Sequence, residues 1–139
     1  MPQVTYSSPT LSDLVSTLLV DQTDDHHFVA TQLDNPSHHI VGGHLAGQVL
    51  VAASRTAPGR SAHSLHVYYL RAGDARKPVE VQVDAARDGG TLATRRITAL
   101  QDGEILLEAL ASFSAPVDAL DYQATIPDVP EPLSVPTMA

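Results

Sequence analysis

Apolar residues recur every three or four positions in two segments of the first half of the chain and every second position through most of the second half. The first spacing is that of one helix face, and the second is that of one strand face. Turn-forming residues such as Pro58-Gly59 separate the segments. The pattern predicts helices over residues 11–20 and 42–57, and strands over residues 26–33, 62–71, 78–87, 91–100 and 104–114.

The second predicted helix is built almost entirely from small and apolar residues. It contains Gly42, Gly43 and Gly47, and its only charged residue is Arg55, near its C-terminal end. Glycine inside a helix costs about 1 kcal/mol relative to alanine, so Gly47 indicates close packing against a neighbouring backbone. We expect other structure to surround this helix.

The later strands should form a meandering sheet. Along residues 78–87 valines alternate with polar residues, which is typical of a strand with one buried face. The segments Asp88-Gly89-Gly90 and Asp102-Gly103 have the composition of hairpin turns. One apolar helix against an antiparallel sheet defines an α+β domain, which we place at residues 1–117, followed by a Pro-rich tail at 118–139.

Length and composition narrow the class of protein. The chain has 139 residues, 43% of them hydrophobic, which suits one domain with a core. It contains no Cys, which excludes a disulfide scaffold, thiolate metal sites and a Cys nucleophile. The N-terminal segment has no basic residue and no long apolar run, so it does not have the pattern of a signal peptide. We therefore expect a soluble cytoplasmic protein without a membrane span.

The charge pattern indicates which kinds of ligand or partner the protein can bind. The formal net charge is −8, which argues against nucleic acid. All 8 basic residues lie within residues 55–96, and this basic middle could form a phosphate-binding rim or a solvated strand surface. The 7 His residues include two adjacent pairs, and no HExxH or Cys/His spacing occurs, so we predict no metal site.

Five segments, in their order and spacing, carry a resemblance to a known family. They are IVGGHLAGQVLVAASRTAP (40–58), HSLHVYYLRAGD (63–74), ARDGGTLATRRITALQDGE (86–104), ALASFSAP (109–116) and PDVPEP (127–132). Together they resemble the first of the two tandem hotdog repeats of TesB-type acyl-CoA thioesterases (thioesterase II). The resemblance implies a single hotdog domain, in which a curled antiparallel sheet wraps a central apolar helix.

The same resemblance implies a substrate and an assembly. The substrate would be an acyl-CoA, which places the protein in lipid metabolism as a hydrolase. Because hotdog sites form between two hotdog units, the protein should be a homodimer or higher homo-oligomer, or pair with a second hotdog chain. We predict no nucleic acid, no cofactor and no metal.

The family keeps its catalytic Asp, Thr and Gln in the second repeat, and this chain stops after the first. Laying the first repeat on the second puts Ala46 where the helix Asp would be, with Gln48 nearby. The predicted helix contains no carboxylate. Two functions therefore remain open. One is a thioesterase that hydrolyses fatty acyl-CoA to free fatty acid and CoA; the other is a non-catalytic hotdog subunit that binds acyl groups or completes a partner's active site.

Thioester hydrolysis needs a polarised carbonyl and an aligned water, but no covalent nucleophile, because thiolates leave readily. The N–H of Gly43 at the helix start could hold the carbonyl oxygen, although Gly-Gly could also be only a tight turn. Gln48 could orient the water or make a structural hydrogen bond. Ser64 and His66 share a strand face and could line the cleft, also from a partner protomer, or form a dimer contact. His44 could be a general base or an interface residue.

Three arginines are candidates for binding the phosphates of CoA, because Arg binds phosphate through two parallel hydrogen bonds. They are Arg71, Arg95 and Arg96. Adjacent residues of a strand point to opposite faces, so at most one of Arg95 and Arg96 serves a given site. Tyr68 and Tyr69, earlier in the basic region, are interpreted as packing residues.

Overall fold

A computed structural model of the chain describes residues 9–118 and 120–136. All predicted helices and strands are present; the strand at 104–114 has its predicted ends, and the others have shorter or shifted ends. One unpredicted strand of two residues precedes the other strands. In chain order the elements are α1 (Leu11–Leu18), β1 (Asp21–Gln22), β2 (His27–Ala30), α2 (Gly42–Arg55), β3 (Ser61–Tyr69), β4 (Val79–Asp88), β5 (Leu92–Gln101), β6 (Glu104–Ser114) and a 3-10 turn (Pro132–Ser134).

The strands form one six-stranded sheet in the order β1-β2-β4-β5-β6-β3, and every neighbouring pair is antiparallel. The hairpins β4–β5 and β5–β6 place consecutive strands side by side, as their turn residues predict. β3 precedes them in the chain but pairs with β6, so it lies at one edge of the sheet. Helix α2 therefore connects β2, next to one edge of the sheet, to β3 at the other edge, and packs against the sheet between them.

The core lies between α2 and one face of the sheet. Helix α2 contributes Leu45, Val49, Ala52 and Ala53, all at most 3% exposed. The alternate positions of the central strands contribute the facing layer, and the expected alternation is present. The buried residues of that layer are Val79, Val81, Val83, Ala93, Ile97, Ala99, Leu107, Ala109, Ala111 and Phe113.

Close packing at Gly47 is present, but its partner differs from the prediction. A Cβ atom added to Gly47 would lie 2.9 Å from Cδ2 of Leu18, so the neighbour is a side chain of α1 and not a backbone. Thr10 caps α1 in a capping box with Asp13. The apolar stripe of α1 stays largely open, with Leu11 76% and Val15 49% exposed. Helix α1 thus packs against the N-terminal half of α2 and leaves most of its own apolar side chains exposed.

One bulge interrupts the regular pairing of β3. Ala62 pairs with Phe113 and Ser64 pairs with Ser112, so His63 is the extra residue. Strict alternation places His63 on the same face as Leu65, but the bulge brings its Nε2 within 2.9 Å of Ser112 Oγ. The rest of β3 alternates as expected.

The chain after β6 forms no strand among its described residues, 115–118 and 120–136. Its large apolar side chains lie in the open, Leu120 and Leu133 among them. The division into a domain at 1–117 and a tail at 118–139 remains a prediction, and residues 1–8, 119 and 137–139 lie outside the described part. No helix in the described part is long and apolar enough to cross a membrane.

Candidate functional site

The N-terminus of α2 presents backbone donors that nothing in the described chain occupies. Val41 is the N-cap residue, and no side chain caps the helix. The first hydrogen bonds toward the cap come from the N–H groups of His44 and Leu45 to the carbonyl of Val41, at 3.0 and 3.1 Å. The N–H groups of Gly42 and Gly43 are left without an acceptor among the described residues, at the positive end of the helix dipole.

Gly43 is also the open point of this helix start. Its residue is exposed, and a Cβ atom placed there would meet no atom within 4 Å. Position 43 is therefore open to solvent where a side chain would stand. A free N–H at a helix N-terminus is suited to hold the oxyanion that forms when a carbonyl is attacked.

A pocket opens next to this helix start, with a cavity volume of about 220 Å³. It lies between α1, the segment after β2 and the first turn of α2. Most of its wall is apolar, but three buried polar atoms of its lining residues have no hydrogen-bond partner within the described part of the chain: Nδ1 and Nε2 of His44 and Oε1 of Gln32. The pocket is lined by Pro9, Leu14, Gln32, Leu33, Asp34, Asn35, Val41 and His44.

Two titratable residues line this pocket, Asp34 and His44, and His44 belongs to the first turn of α2. Burial lowers the pKa of His44 below the ordinary histidine value, because the charged imidazolium loses hydration. His44 is therefore neutral at neutral pH, so one ring nitrogen carries a proton and the other is an acceptor. Gln32 carried no signal in the sequence, because only the fold brings residues of the segment after β2 to the start of α2.

Gln48 is fully buried and its amide is engaged within the protein. Its Nε2 donates to the carbonyl oxygens of Thr17 and Thr31, both at 2.7 Å. Its Oε1 accepts a hydrogen bond of 2.7 Å from Nε2 of Gln32. Both N–H groups are thus used to join α2 to the end of α1 and to the segment after β2, and neither is left to orient a water.

Ser64 and His66 lie together on the outer face of β3, as their alternation predicts, opposite Ser112 and Leu110 of β6. Helix α2 packs against the other face, so a single chain does not bring these side chains to Gly43. An outer-face cavity of about 270 Å³ lies beside His66. It is lined by His66, Tyr68, Arg96, Glu108, Ala109 and Leu110.

The three candidate arginines have different environments. Arg95 is 2% exposed on the helix side of β5, and its guanidinium donates to Thr56, Arg87, Thr94 and Asp88. All five of its N–H groups are accounted for, so Arg95 holds the end of α2 to the β4–β5 hairpin and has none left for CoA.

Arg71 and Arg96 remain open to a phosphate. Arg96 is exposed on the outer face, beside the cavity near His66, and has no ion-pair partner among the described residues. Arg71 is exposed as well, and it pairs with Glu104 at 3.2 Å and donates to the carbonyl of Ile105. Among residues 9–118 and 120–136, no group of three or more His, Cys, Asp or Glu side chains is placed to hold a metal ion.

Comparison with solved structures defines the class of fold. A single helix wrapped by an antiparallel sheet is shared with a protein from Alicyclobacillus acidocaldarius, described as a conserved protein of unknown function with a hot dog fold. The two superpose with a TM-score of 0.72 at 24% identity, over 88% of this chain and 47% of that one. The predicted single hotdog domain is confirmed.

Sequence comparison defines the family. The model of the acyl-CoA thioesterase N-terminal domain matches residues 31–114. The chain therefore belongs to the acyl-CoA thioesterase family, as a TesB-type first hotdog domain. The tesB protein of Mycobacterium avium subs paratuberculosis is 45% identical, with a TM-score of 0.85 over 91% of this chain and 50% of that chain.

Two curated relatives show the same match. Acyl-coenzyme A thioesterase 8 of Homo sapiens is 36% identical over 124 residues, which are 87% of this chain and 39% of that protein. Acyl-CoA thioesterase 2 of Haemophilus influenzae is 31% identical over 126 residues, 90% of this chain and 44% of that protein. The chain thus spans less than half the length of each of these relatives.

Proposed function

We propose that this chain is a hotdog unit of an acyl-CoA thioesterase, which hydrolyses fatty acyl-CoA to free fatty acid and CoA. The observation that carries the proposal is the uncapped start of α2, where the N–H of Gly43 has no acceptor among the described residues and its neighbours Val41 and His44 line an apolar pocket. In the reaction, water adds to the thioester carbonyl, the C–S bond breaks, and CoA leaves as a thiolate that takes up a proton.

The proposal assigns roles to the residues around this helix start. The Gly43 N–H holds the carbonyl oxygen as negative charge develops on it. The acyl chain enters the pocket lined by Leu14, Leu33 and Val41, where burial of its methylene groups stabilises the complex by about 0.8 kcal/mol each. The phosphates of CoA bind the exposed Arg71, or the exposed Arg96 of a partner protomer, because Arg96 lies on the outer face with His66.

The site is completed by a second hotdog unit. Helix α2 carries no carboxylate, and Gln48 has no free N–H, so apart from the neutral His44 the groups that activate water come from another unit. Ser64 and His66 of a partner protomer are the candidates from this chain. The edge strand β3 supports such pairing, because a nine-residue edge with one unpaired side is a template for a neighbouring strand. A homodimer or higher oligomer, or a second hotdog chain, is therefore part of the proposal.

A non-catalytic subunit is the second candidate function. It is favoured by the absence of a carboxylate from α2 and by the structural engagement of Gln48. Such a subunit would bind acyl groups or complete a partner's site through the same helix start and pocket. The proposal also includes lipid metabolism and a cytoplasmic location, where CoA thioesters are available; cell fractionation tests the location.

The deciding experiment measures free thiol released from short- to long-chain acyl-CoAs, with the oligomeric state determined in the same buffer by light scattering. We expect turnover by an assembled form of the protein. Absence of turnover together with calorimetric binding of an acyl-CoA would refute the stand-alone enzyme and select the non-catalytic subunit. Absence of both would refute the acyl-CoA proposal for this chain.

A further inference from the structure

We propose that Tyr69 is the positioning residue of the Gly43 N–H, acting through the peptide group that Gly42 and Gly43 share; this rests on the proposed function. The hydroxyl of Tyr69 donates a hydrogen bond of 2.8 Å to the carbonyl oxygen of Gly42. That carbonyl and the N–H of Gly43 belong to one peptide unit. Tyr69 therefore holds one end of the unit whose other end is the donor assigned to the thioester oxygen.

The tyrosine ring also lies in tight contact with position 42. A Cβ atom added to Gly42 would lie 3.1 Å from Cε1 and 3.2 Å from Cζ of Tyr69, tighter than ordinary van der Waals contact. The ring thus lies against the first residue of α2. Tyr69 is the last residue of β3, so this contact ties the end of the edge strand to the start of the helix.

Tyr69 binds the helix start at a carbonyl group, whereas an ordinary helix cap uses an N–H group. An N-cap side chain accepts a hydrogen bond from an N–H of the first turn and so occupies a donor. Val41 makes no such bond here. Tyr69 orders the same turn from the carbonyl side and leaves the Gly43 N–H free for a ligand.

Two physical effects link the hydrogen bond of the Tyr69 hydroxyl to the properties of the Gly43 N–H. The peptide group is planar, so fixing the direction of its C=O also fixes the direction of its N–H. A hydrogen bond accepted by the C=O polarises the unit and strengthens the N–H as a donor by about 10–30%. Loss of a whole oxyanion donor costs about 10²–10³-fold in kcat. A donor weakened by about 10–30% loses that fraction of the logarithm of this effect, which is about a two- to eightfold change in kcat.

The test compares Tyr69→Phe with wild type, with Tyr122→Phe as the matched control because Tyr122 is 91% exposed in the C-terminal segment. Tyr69→Phe keeps the ring and removes only the hydroxyl. We expect kcat to fall about two- to eightfold with unchanged KM and an unchanged oligomeric state. We also expect the Gly43 amide signal in ¹⁵N–¹H spectra to move more than any other amide of α2. The control should change neither.

A double-mutant cycle separates positioning from a merely structural tie. In a Gly43→Pro background the N–H is gone, so Tyr69→Phe should cause no further loss of kcat. Independent losses that multiply, or an unmoved Gly43 signal in Tyr69→Phe, would overturn the inference. A wild type without turnover would instead refute the proposed function, and the Gly43 signal would still show whether Tyr69 polarises this peptide.

Discussion

Replacing Gly43 by proline should abolish most of the thioesterase activity without unfolding the domain. Proline lacks the backbone N–H, and the first turn of a helix is the one helical place where it is tolerated, because its N–H has no intrahelical partner. The proline ring clashes with the Cβ and the backbone N–H of the preceding residue, and that residue is Gly42, which has no Cβ. The substitution therefore removes one hydrogen-bond donor and leaves the helix intact.

The expected magnitude follows from the number of donors at the site. Removal of one oxyanion donor costs about 10²–10³-fold in kcat, or about 2.7–4 kcal/mol. Gly42 keeps its own free N–H one residue away, so we expect a loss of about 10²-fold, at the lower end of that range.

Alanine at the same position is the matched control. It keeps the N–H, and its Cβ would meet no atom within 4 Å. Alanine also loses less backbone entropy than glycine in a helix, which stabilises it by about 0.5–1 kcal/mol, so the melting temperature should rise by about 2–4 °C. We expect Gly43→Ala to retain wild-type kcat.

The assay is free-thiol release at saturating acyl-CoA, with circular dichroism and thermal melting on the same preparations. A folded Gly43→Pro protein with more than about half of the wild-type kcat would refute the assignment of this N–H as the oxyanion donor. An equal loss in the alanine variant would refute it as well, because steric obstruction would then explain both results.

Three further predictions concern His44, Gln48 and Arg96. Burial lowers the pKa of His44, so only the unfolded state takes up a proton as the pH falls below the ordinary histidine pKa of about 6.5, and the stability of the folded protein should decrease there. His44→Gln should therefore make the melting temperature depend less on pH between pH 7 and 5, whereas parallel wild-type and variant profiles would contradict this prediction. Gln48→Ala should lower the free energy of unfolding in urea by about 2–4 kcal/mol, because it leaves buried partners unsatisfied; an activity loss at unchanged stability would instead restore its water-orienting role. Arg96→Ala should raise KM for acyl-CoA up to about fivefold at unchanged stability, the equivalent of about 1 kcal/mol for an exposed ion pair. Arg95→Met should lower stability instead, and an unchanged KM in Arg96→Ala would show that Arg96 is not part of the CoA site.

Much of the fold was predictable because its signals are local. Apolar spacing within about ten residues identifies a helix or a strand, and turn residues identify the hairpins. The end of β2 was less predictable, since the strand covers His27–Ala30 and not residues 26–33. Only four cross-strand pairs with β4 support it, and the number of pairs depends on where the partner strand ends.

The candidate site was predictable only in part. Gly43 could be found because a Gly-Gly pair before an apolar helix is visible in the sequence. Tyr69 was interpreted as packing, and yet it is 55% exposed and bonded to the start of α2, 27 residues away in the chain. No spacing rule connects two residues at that distance, so neither its hydroxyl bond nor the tight contact with Gly42 had a local signal.

The sequence by itself determined both helices, the five longer strands, their hairpin order, the single domain and the family, because each depends on neighbouring residues or on motifs in a given order. The tertiary structure decided which polar side chains are available for chemistry. Gln48 is engaged by partners 16, 17 and 31 residues away, and Arg95 is enclosed at 2% exposure while its neighbour Arg96 is exposed. The physical reason is that a buried polar group must find hydrogen-bond partners wherever the fold brings them, and those partners are chosen by the packing of distant segments, which the local pattern does not contain.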